Sequence, residues 1–241
     1  MKEAKLTITE NTRLAASVYR MRLAGDAGNH LPGQFVNVRL PGLFLRRPIS
    51  VCDFDDETLT LIYKTVGRGT ELMAGLEPGA ELDVLCGLGH GYDLDAPCAK
   101  PLLIGGGVGV PPLYYLAKEL VKNGKAVSAV LGFNTADEVF YEEEFRSLGC
   151  AVTLATADGS RGVRGFVTDA LPNGCDRFYA CGPLPMLKAL CRTLSIPGQL
   201  SLEERMGCGF GACMGCSVET AHGAKRVCRE GPVFDREELL W

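Results

Sequence analysis

The chain has 241 residues, with 25 Lys and Arg against 29 Asp and Glu, a formal charge of −4. Apolar residues make up 46% and charged residues 22%, the balance of a chain that buries a core, which excludes a disordered tail. No basic cluster gives a footprint for nucleic acid, and the longest uncharged stretch, Pro101–Ala117, is interrupted by four glycines and three prolines, which excludes a membrane helix.

Residues 1–98 alternate apolar and polar positions over Lys5–Thr9, Val18–Leu23, Gln34–Leu40, Ile49–Phe54, Leu59–Val66 and Glu81–Cys86. Six such segments predict an antiparallel barrel or sandwich, with one short helix at Thr70–Ala74. Beyond Asp95–Pro101 the pattern changes to strands and helices in turn. Strands are expected at Pro101–Ile104, Ala126–Phe133, Ala151–Ala155 and Arg177–Cys181. Helices are expected at Pro111–Lys122, Asp137–Leu148, Gly165–Leu171 and Pro185–Leu194. That alternation predicts a parallel sheet with crossovers. Residues 201–241 have no repeating pattern. The chain therefore divides into a β module (1–98), an α/β module (99–200) and a cysteine-bearing segment (201–241).

The chain contains 11 cysteines. An odd count, behind an N-terminus MKEAKLTITE that lacks the apolar core of an export signal, points to a reducing, cytoplasmic setting. Seven are scattered, mostly in apolar stretches where a thiol packs as a small hydrophobe. Cys208, Cys213, Cys216 and Cys228 are instead crowded with the spacing C-x4-C-x2-C-x11-C. The glycines of Glu203–Ser217 (EERMGCGFGACMGCS) allow a tight loop whose backbone N–H groups reach inorganic sulfide. This spacing, with a distant fourth cysteine, is the plant-type 2Fe–2S arrangement. Structural zinc is the alternative, although zinc knuckles usually pair two C-x2–4-C elements and Cys228 stands alone.

Two glycine-bearing turns follow strands of the α/β module. The first is Gly105-Gly106-Gly107-Val108-Gly109, at the opening βα junction; the second is Cys181-Gly182-Pro183. Both would lie at the carboxyl edge of one sheet, where nucleotides bind. The first departs from G-x-G-x-x-G, since Val110 takes the last glycine position. A tight packed turn is the plain reading of each, and Cys181 is either a packing thiol or a wall of a nicotinamide pocket. In the β module, Arg46-Arg47-Pro48-Ile49-Ser50 supplies a planar fork for phosphate oxygens and a hydroxyl for a ring heteroatom. Ile62-Tyr63-Lys64 ends a nearby strand, and Gly69-Thr70 opens the short helix. Taken singly, Tyr63 reads as core and Gly69-Thr70 as a turn.

In this order the pieces resemble the ferredoxin reductase superfamily and, more closely, the electron-transfer subunits of type B dihydroorotate dehydrogenases. The resemblance runs from Arg47-Pro48-Ile49-Ser50 to EERMGCGFGACMGC…VCREGPVF. It implies a six-stranded flavin-binding barrel, an α/β nucleotide domain and a small 2Fe–2S segment. Arg47, Pro48, Ile49, Ser50, Ile62, Tyr63, Lys64, Gly69 and Thr70 would hold FAD. Gly105, Gly106, Gly107, Gly109, Cys181, Gly182 and Pro183 would receive NAD, and Cys208, Cys213, Cys216 and Cys228 would ligate the cluster. Ile49 departs from the superfamily's Arg-x-Tyr-Ser but agrees with the subunit family. Cys86–Tyr92 departs from the family's usual loop, and His90 there reads as a local residue.

The resemblance further implies a partner, an FMN-containing catalytic subunit that oxidises dihydroorotate, in an assembly with two copies of each subunit. Electrons would pass from FMN through 2Fe–2S to FAD and on to NAD+, the flavin matching one-electron to two-electron chemistry. No general base is required, and His30, His90 and His222 form no catalytic arrangement. Acids in Asn134–Glu138 suit NAD, as the family uses, whereas Arg161 and Arg164 could suit a 2′-phosphate. Two rivals stay open: a flavin/iron–sulfur subunit of a bifurcating transhydrogenase or hydrogenase diaphorase, and a zinc-stabilised nucleotide-binding protein.

Overall fold

In the computed structural model, which describes residues 1–55 and 57–241, the first half of the chain closes on itself. Strands β1 (Lys2–Ala15), β2 (Val18–Ala24), β3 (Phe35–Val38), β4 (Arg47–Phe54) and β5 (Thr58–Lys64) are followed by helix α1 (Arg68–Ala74) and strand β6 (Glu81–Leu88). The strands pair antiparallel in the order β1-β2-β5-β4-β3-β6, and β6 returns to β1 from Lys2–Cys86 to Thr7–Glu81. Period-two patterning causes this: Leu6 and Ile8, Val36 and Val38, Leu59 and Leu61, and Val84 and Cys86 all point into one interior. Two register shifts in β1, near Ile8/Glu10 and Arg13/Ala15, bend the long strand around the barrel.

The second half supplies β7 (Pro101–Gly106), α2 (Val110–Lys122), β8 (Ser128–Phe133), α3 (Glu142–Ser147), β9 (Ala151–Thr156), β10 (Val163–Arg164), β11 (Arg177–Cys181), α4 (Leu184–Thr193) and β12 (Gly198–Ser201). The last part adds a hairpin, β13 (Ser217–Thr220) with β14 (Gly223–Arg226), and a strand, β15 (Val233–Asp235). One seven-stranded sheet forms in the order β10-β9-β8-β7-β11-β12-β15. It is parallel except for β15, which runs antiparallel to β12. The chain moves outward from β7 through β8 to β9, then crosses back to β11 on the other side. The loops after β7 and β11 therefore part at a topological switch point.

Both faces of the sheet are covered. Leu103, Leu131 and Tyr179 pack under α2 and Phe145, while Ile104, Val130 and Phe178 pack under Leu187 and Leu190 of α4. Helix α2 also joins the halves. Its Val110 and Leu113 share a core with Val18, Cys52 and Ile62 of the barrel. Lys118 Nζ meets Asp53 Oδ1 at 2.8 Å, and the Tyr115 hydroxyl donates to the His30 carbonyl at 3.0 Å. Among the described residues no helix is long and apolar enough to cross a membrane.

Two expected helices are corrected. In place of one helix over Asp137–Leu148 there is a 3₁₀ turn at Ala136–Glu138, extended backbone at Val139 and a left-handed Tyr141 before α3. The break lets two successive aromatics reach the core: Phe140 stands edge-on to Phe133 at 5.3 Å and Tyr141 edge-on to Tyr114 at 5.0 Å. A continuous helix would turn those side chains about 100° apart. Gly165–Leu171 contains only the 3₁₀ turn Val167–Ala170. The C-terminal segment, which showed no pattern, delivers β15 into the sheet.

Candidate functional site

The loop Glu203–Ser217 lies against the barrel and brings the crowded thiols together two by two. Cys208 Sγ accepts N–H groups from Ala212 at 3.2 Å and Cys213 at 3.5 Å, and lies within hydrogen-bonding reach of the Cys213 thiol. Cys216 Sγ accepts the Cys228 N–H at 3.4 Å and neighbours the Cys228 thiol. Partial burial raises the Cys208 thiol, but N–H groups of Phe210, Cys213 and Ala212 outweigh it and lower its pKa to about 6. Burial and the adjacent Cys216 push Cys228 up to about 12. Cys216 and Cys228 sit in a core shared with Phe35, Leu88 and Phe234, whereas Cys213 is exposed. Among the described residues no three Cys, His, Asp or Glu side chains converge on one ion. Pairs of cysteine sulfurs with N–H donors around them suit a binuclear cluster, in which each iron takes two.

Two residues outside the cysteine motif hold this loop, and a third holds the segment that follows Cys228. Asn37 on β3 is buried and its Nδ2 donates to the Cys208 carbonyl at 3.3 Å. Gly209 must be glycine beneath it, since a Cβ there would come 2.3 Å from Asn37 Nδ2. Arg226 Nη1 donates to the Gly211 carbonyl at 2.5 Å while the same guanidinium pairs with Glu230. His90 Nδ1 lies 2.6 Å from the Arg229 carbonyl, and the His90 backbone N–H donates to the Gly231 carbonyl at 2.7 Å. The divergent loop Cys86–Tyr92 thus braces the cysteine segment. Asn37 and Arg226 carried no signal in the sequence, because each acts on a carbonyl distant along the chain.

On the barrel, the Arg47 guanidinium lies against the first turn of α1, so close that a Cβ at Gly69 would fall 2.0 Å from its Nε. Arg47 Nη1 also donates to the Leu45 carbonyl at 2.6 Å. Thr70 Oγ1 accepts the Val66 N–H at 2.9 Å and donates to the Gly67 carbonyl at 3.0 Å, which shapes this turn. Pro48 pairs with Asn37, and Ser50 with Phe35, across β3 and β4. The side chains of Ile49 and Tyr63 join the barrel interior. Tyr63 stacks on Tyr19 at 5.9 Å, its hydroxyl donates to Asn11 at 2.9 Å, and its backbone pairs with Tyr19 across β2 and β5. Ile62, one step along β5, faces the α/β domain instead, and Lys64 reaches Glu138 beyond β8 at 3.4 Å. The barrel face carrying Ser50, Ile62 and Lys64, flanked by Arg47 and Gly69, fits an elongated phosphate-bearing cofactor.

At the switch point the two glycine loops pack on each other. A Cβ on Gly109 would lie 2.2 Å from the Cys181 carbonyl oxygen, and one on Gly106 would lie 2.7 Å from Met186 Sδ and 3.1 Å from Pro183. Gly105 is similarly closed by Val110, and Gly182 by Met186. Gly107 alone in this run is open, with φ +53 and nothing within 4 Å. Most of these glycines thus serve loop-on-loop packing, and Gly107 presents free backbone at the sheet's edge. Burial raises the partly exposed Cys181 thiol to about 12, which keeps it protonated.

Residues 203–240 match the family "Iron-sulfur cluster binding domain of dihydroorotate dehydrogenase B", and residues 103–192 match "Oxidoreductase NAD-binding domain". The chain is 46% identical over 256 residues to the dihydroorotate dehydrogenase B (NAD(+)) electron transfer subunit of Shouchella clausii, spanning 99% of this chain and 98% of the relative. It is 43% identical to that of Fusobacterium nucleatum over 97% of both chains. A solved structure described as an NADH-dependent reduced ferredoxin–NADP oxidoreductase, studied for flavin-based electron bifurcation, is 31% identical. It covers 99% of this chain and 90% of its own, with a TM-score of 0.90. These likenesses run nearly end to end and agree with the barrel, the switch-point sheet and the thiol pairs: the chain belongs to the family of electron transfer subunits of NAD+-dependent dihydroorotate dehydrogenase B.

Proposed function

We propose that this protein carries electrons from a catalytic subunit that oxidises dihydroorotate, through a 2Fe–2S cluster and FAD, to NAD+. Cys208, Cys213, Cys216 and Cys228 hold the cluster. Arg47 holds the FAD pyrophosphate beside Gly69 and Thr70, while Pro48, Ile49, Ser50 and the run Ile62-Tyr63-Lys64 hold the flavin. Gly105, Gly106, Gly107, Gly109, Cys181, Gly182 and Pro183 form the floor for NAD. FAD supplies the exchange between single electrons and a hydride. The polypeptide fixes where the groups sit, shields them and donates hydrogen bonds.

Contiguity is the observation that carries this reading. Asn37 is at once the register partner of Pro48 on the flavin strand and the hydrogen-bond donor to Cys208. Electron transfer between cluster and flavin therefore has a short packed route. On the other side, the exposed Cys213 is rimmed by apolar residues: Phe44 is 99% exposed, Met214 53% and Phe210 42%. Such a patch marks an interaction surface, and it suits docking of the FMN-containing catalytic subunit over the cluster, with two copies of each chain in the assembly. The 46% relatives favour this pathway over the ferredoxin-linked alternative.

Composition tests the reading cheaply. Anaerobically purified protein is expected to be yellow-brown, with iron, acid-labile sulfide and FAD. Colourless protein holding one zinc would overturn it. Arg47→Ala is expected to lose FAD while retaining iron.

A further inference from the structure

Glu142, at the start of α3, engages two arginines at once. Its Oε1 accepts Arg146 Nη2 at 2.9 Å, and its Oε2 accepts Arg161 Nη2 at 2.5 Å. The carboxylate is mostly covered, with its side chain 12% exposed, whereas that of Arg161 is 48% exposed. Arg161 follows β9 at the carboxyl edge of the sheet, in a tight loop closed by Thr156, whose hydroxyl donates to the Arg161 carbonyl at 2.7 Å. This loop is tied to the one after β8, because Ser160 Oγ accepts the Ala136 N–H at 2.7 Å and donates to Asp158 Oδ1 at 2.6 Å. The ends of β8 and β9 lie beside the switch point, where the adenosine half of a dinucleotide rests in such sheets.

An arginine at that edge is the residue type that would grip a 2′-phosphate. Here its guanidinium is already paired with a carboxylate, one that Arg146 shares, and the same rim carries the carboxylates of Asp137 and Asp158. We propose that Glu142 is a specificity-determining residue: by holding Arg161 it withholds the one cation of the β9 loop from a 2′-phosphate, so the site takes NAD+ and refuses NADP+. The device is a charge pair within the rim, and it needs no steric block. Arg164 is the competing cation, but its methylenes lie over Gly159, 2.8 Å from where a Cβ would be. This inference rests on the proposed nucleotide site.

The test uses the assembled holoprotein and two probes, 5′-AMP and adenosine 2′,5′-bisphosphate, as inhibitors of NADH-dependent dye reduction and in direct binding. Glu142→Gln is expected to tighten the bisphosphate by about tenfold relative to 5′-AMP and to lower the KM for NADP+ in parallel. The gain should vanish in Glu142→Gln/Arg161→Ala and survive in Glu142→Gln/Arg164→Ala. An unchanged ratio of the two probes in Glu142→Gln would overturn the proposal, as would a gain that depends on Arg164. So would a loss of bisphosphate affinity in Arg161→Ala alone, which would show that Arg161 already reads that phosphate. Failure of the wild-type protein to bind 5′-AMP at all would instead overturn the nucleotide site beneath it.

Discussion

Asn37 and Cys208 lie 171 residues apart in sequence and are joined by one hydrogen bond of 3.3 Å, from the amide of a barrel strand to the carbonyl of the cysteine loop. Asn37 is 1% exposed, and removing its side chain takes away the donor to that carbonyl and leaves a void under the loop. Asn37→Ala is expected to cost about 1–2 kcal/mol of stability and to broaden the electron paramagnetic resonance signal of the reduced cluster. Thermal melting and that spectrum check it. A signal identical to wild type would show that Asn37 does not position the loop.

The exposed Cys213 gives a second expectation. Cys213→Ser should bleach the long-wavelength absorption and lower iron content, while most of the FAD stays bound, because Arg47 and Gly69 lie on different elements. Visible spectra and metal analysis decide. Full iron retention would remove Cys213 from the ligand set.

Acid should weaken the fold through His30. Burial beside Phe54 lowers its pKa from 6.5 to about 4. Between those values the unfolded chain binds a proton that the folded chain refuses, so stability falls as pH drops from 6.5 towards 4. Over that window the loss attributable to His30 approaches about 3 kcal/mol. His30→Phe is expected to flatten this part of the stability profile. Urea unfolding at a series of pH values measures it, and an unchanged slope would contradict the assignment.

Loop-on-loop packing at the switch point makes Gly109 and Gly124 behave differently. Gly109→Ala puts a methyl 2.2 Å from the Cys181 carbonyl oxygen, and is expected to cost about 3 kcal/mol with a raised KM for NADH. Gly124 has φ +74 and open space. Gly124→Ala should cost about 1 kcal/mol of backbone strain and leave that KM unchanged. Equal effects would mean that the glycine loops do not lean on each other.

Patterns carried by neighbouring residues were legible in the sequence. Alternation gave the barrel strands, and the x4/x2 spacing marked Cys208, Cys213 and Cys216 as one loop. Relationships across space were not. Phe140 and Tyr141 break an otherwise helical stretch because the core needs both rings, and no local propensity records that demand. Strand β15 is three residues, Val233–Asp235, too short to show a period; only its partner β12 makes it a strand. Tyr63 was expected at the flavin, yet its ring fills the barrel, since strand alternation places it with Leu59 and Leu61. Similarly, Gly106 and Gly109 answer to Cys181, Pro183 and Met186, which lie more than seventy residues further on.

On the proposed route, electrons from dihydroorotate reach NAD+ only through iron held by the cysteine sulfurs. The direct measurement is anaerobic NADH formation from dihydroorotate by the complex assembled with its catalytic subunit, comparing wild type with Cys213→Ser at matched FAD content. Loss of dihydroorotate-driven NADH formation, with NADH-to-dye reduction by FAD retained, is the predicted result. An iron-depleted complex that still made NADH at the wild-type rate would contradict it.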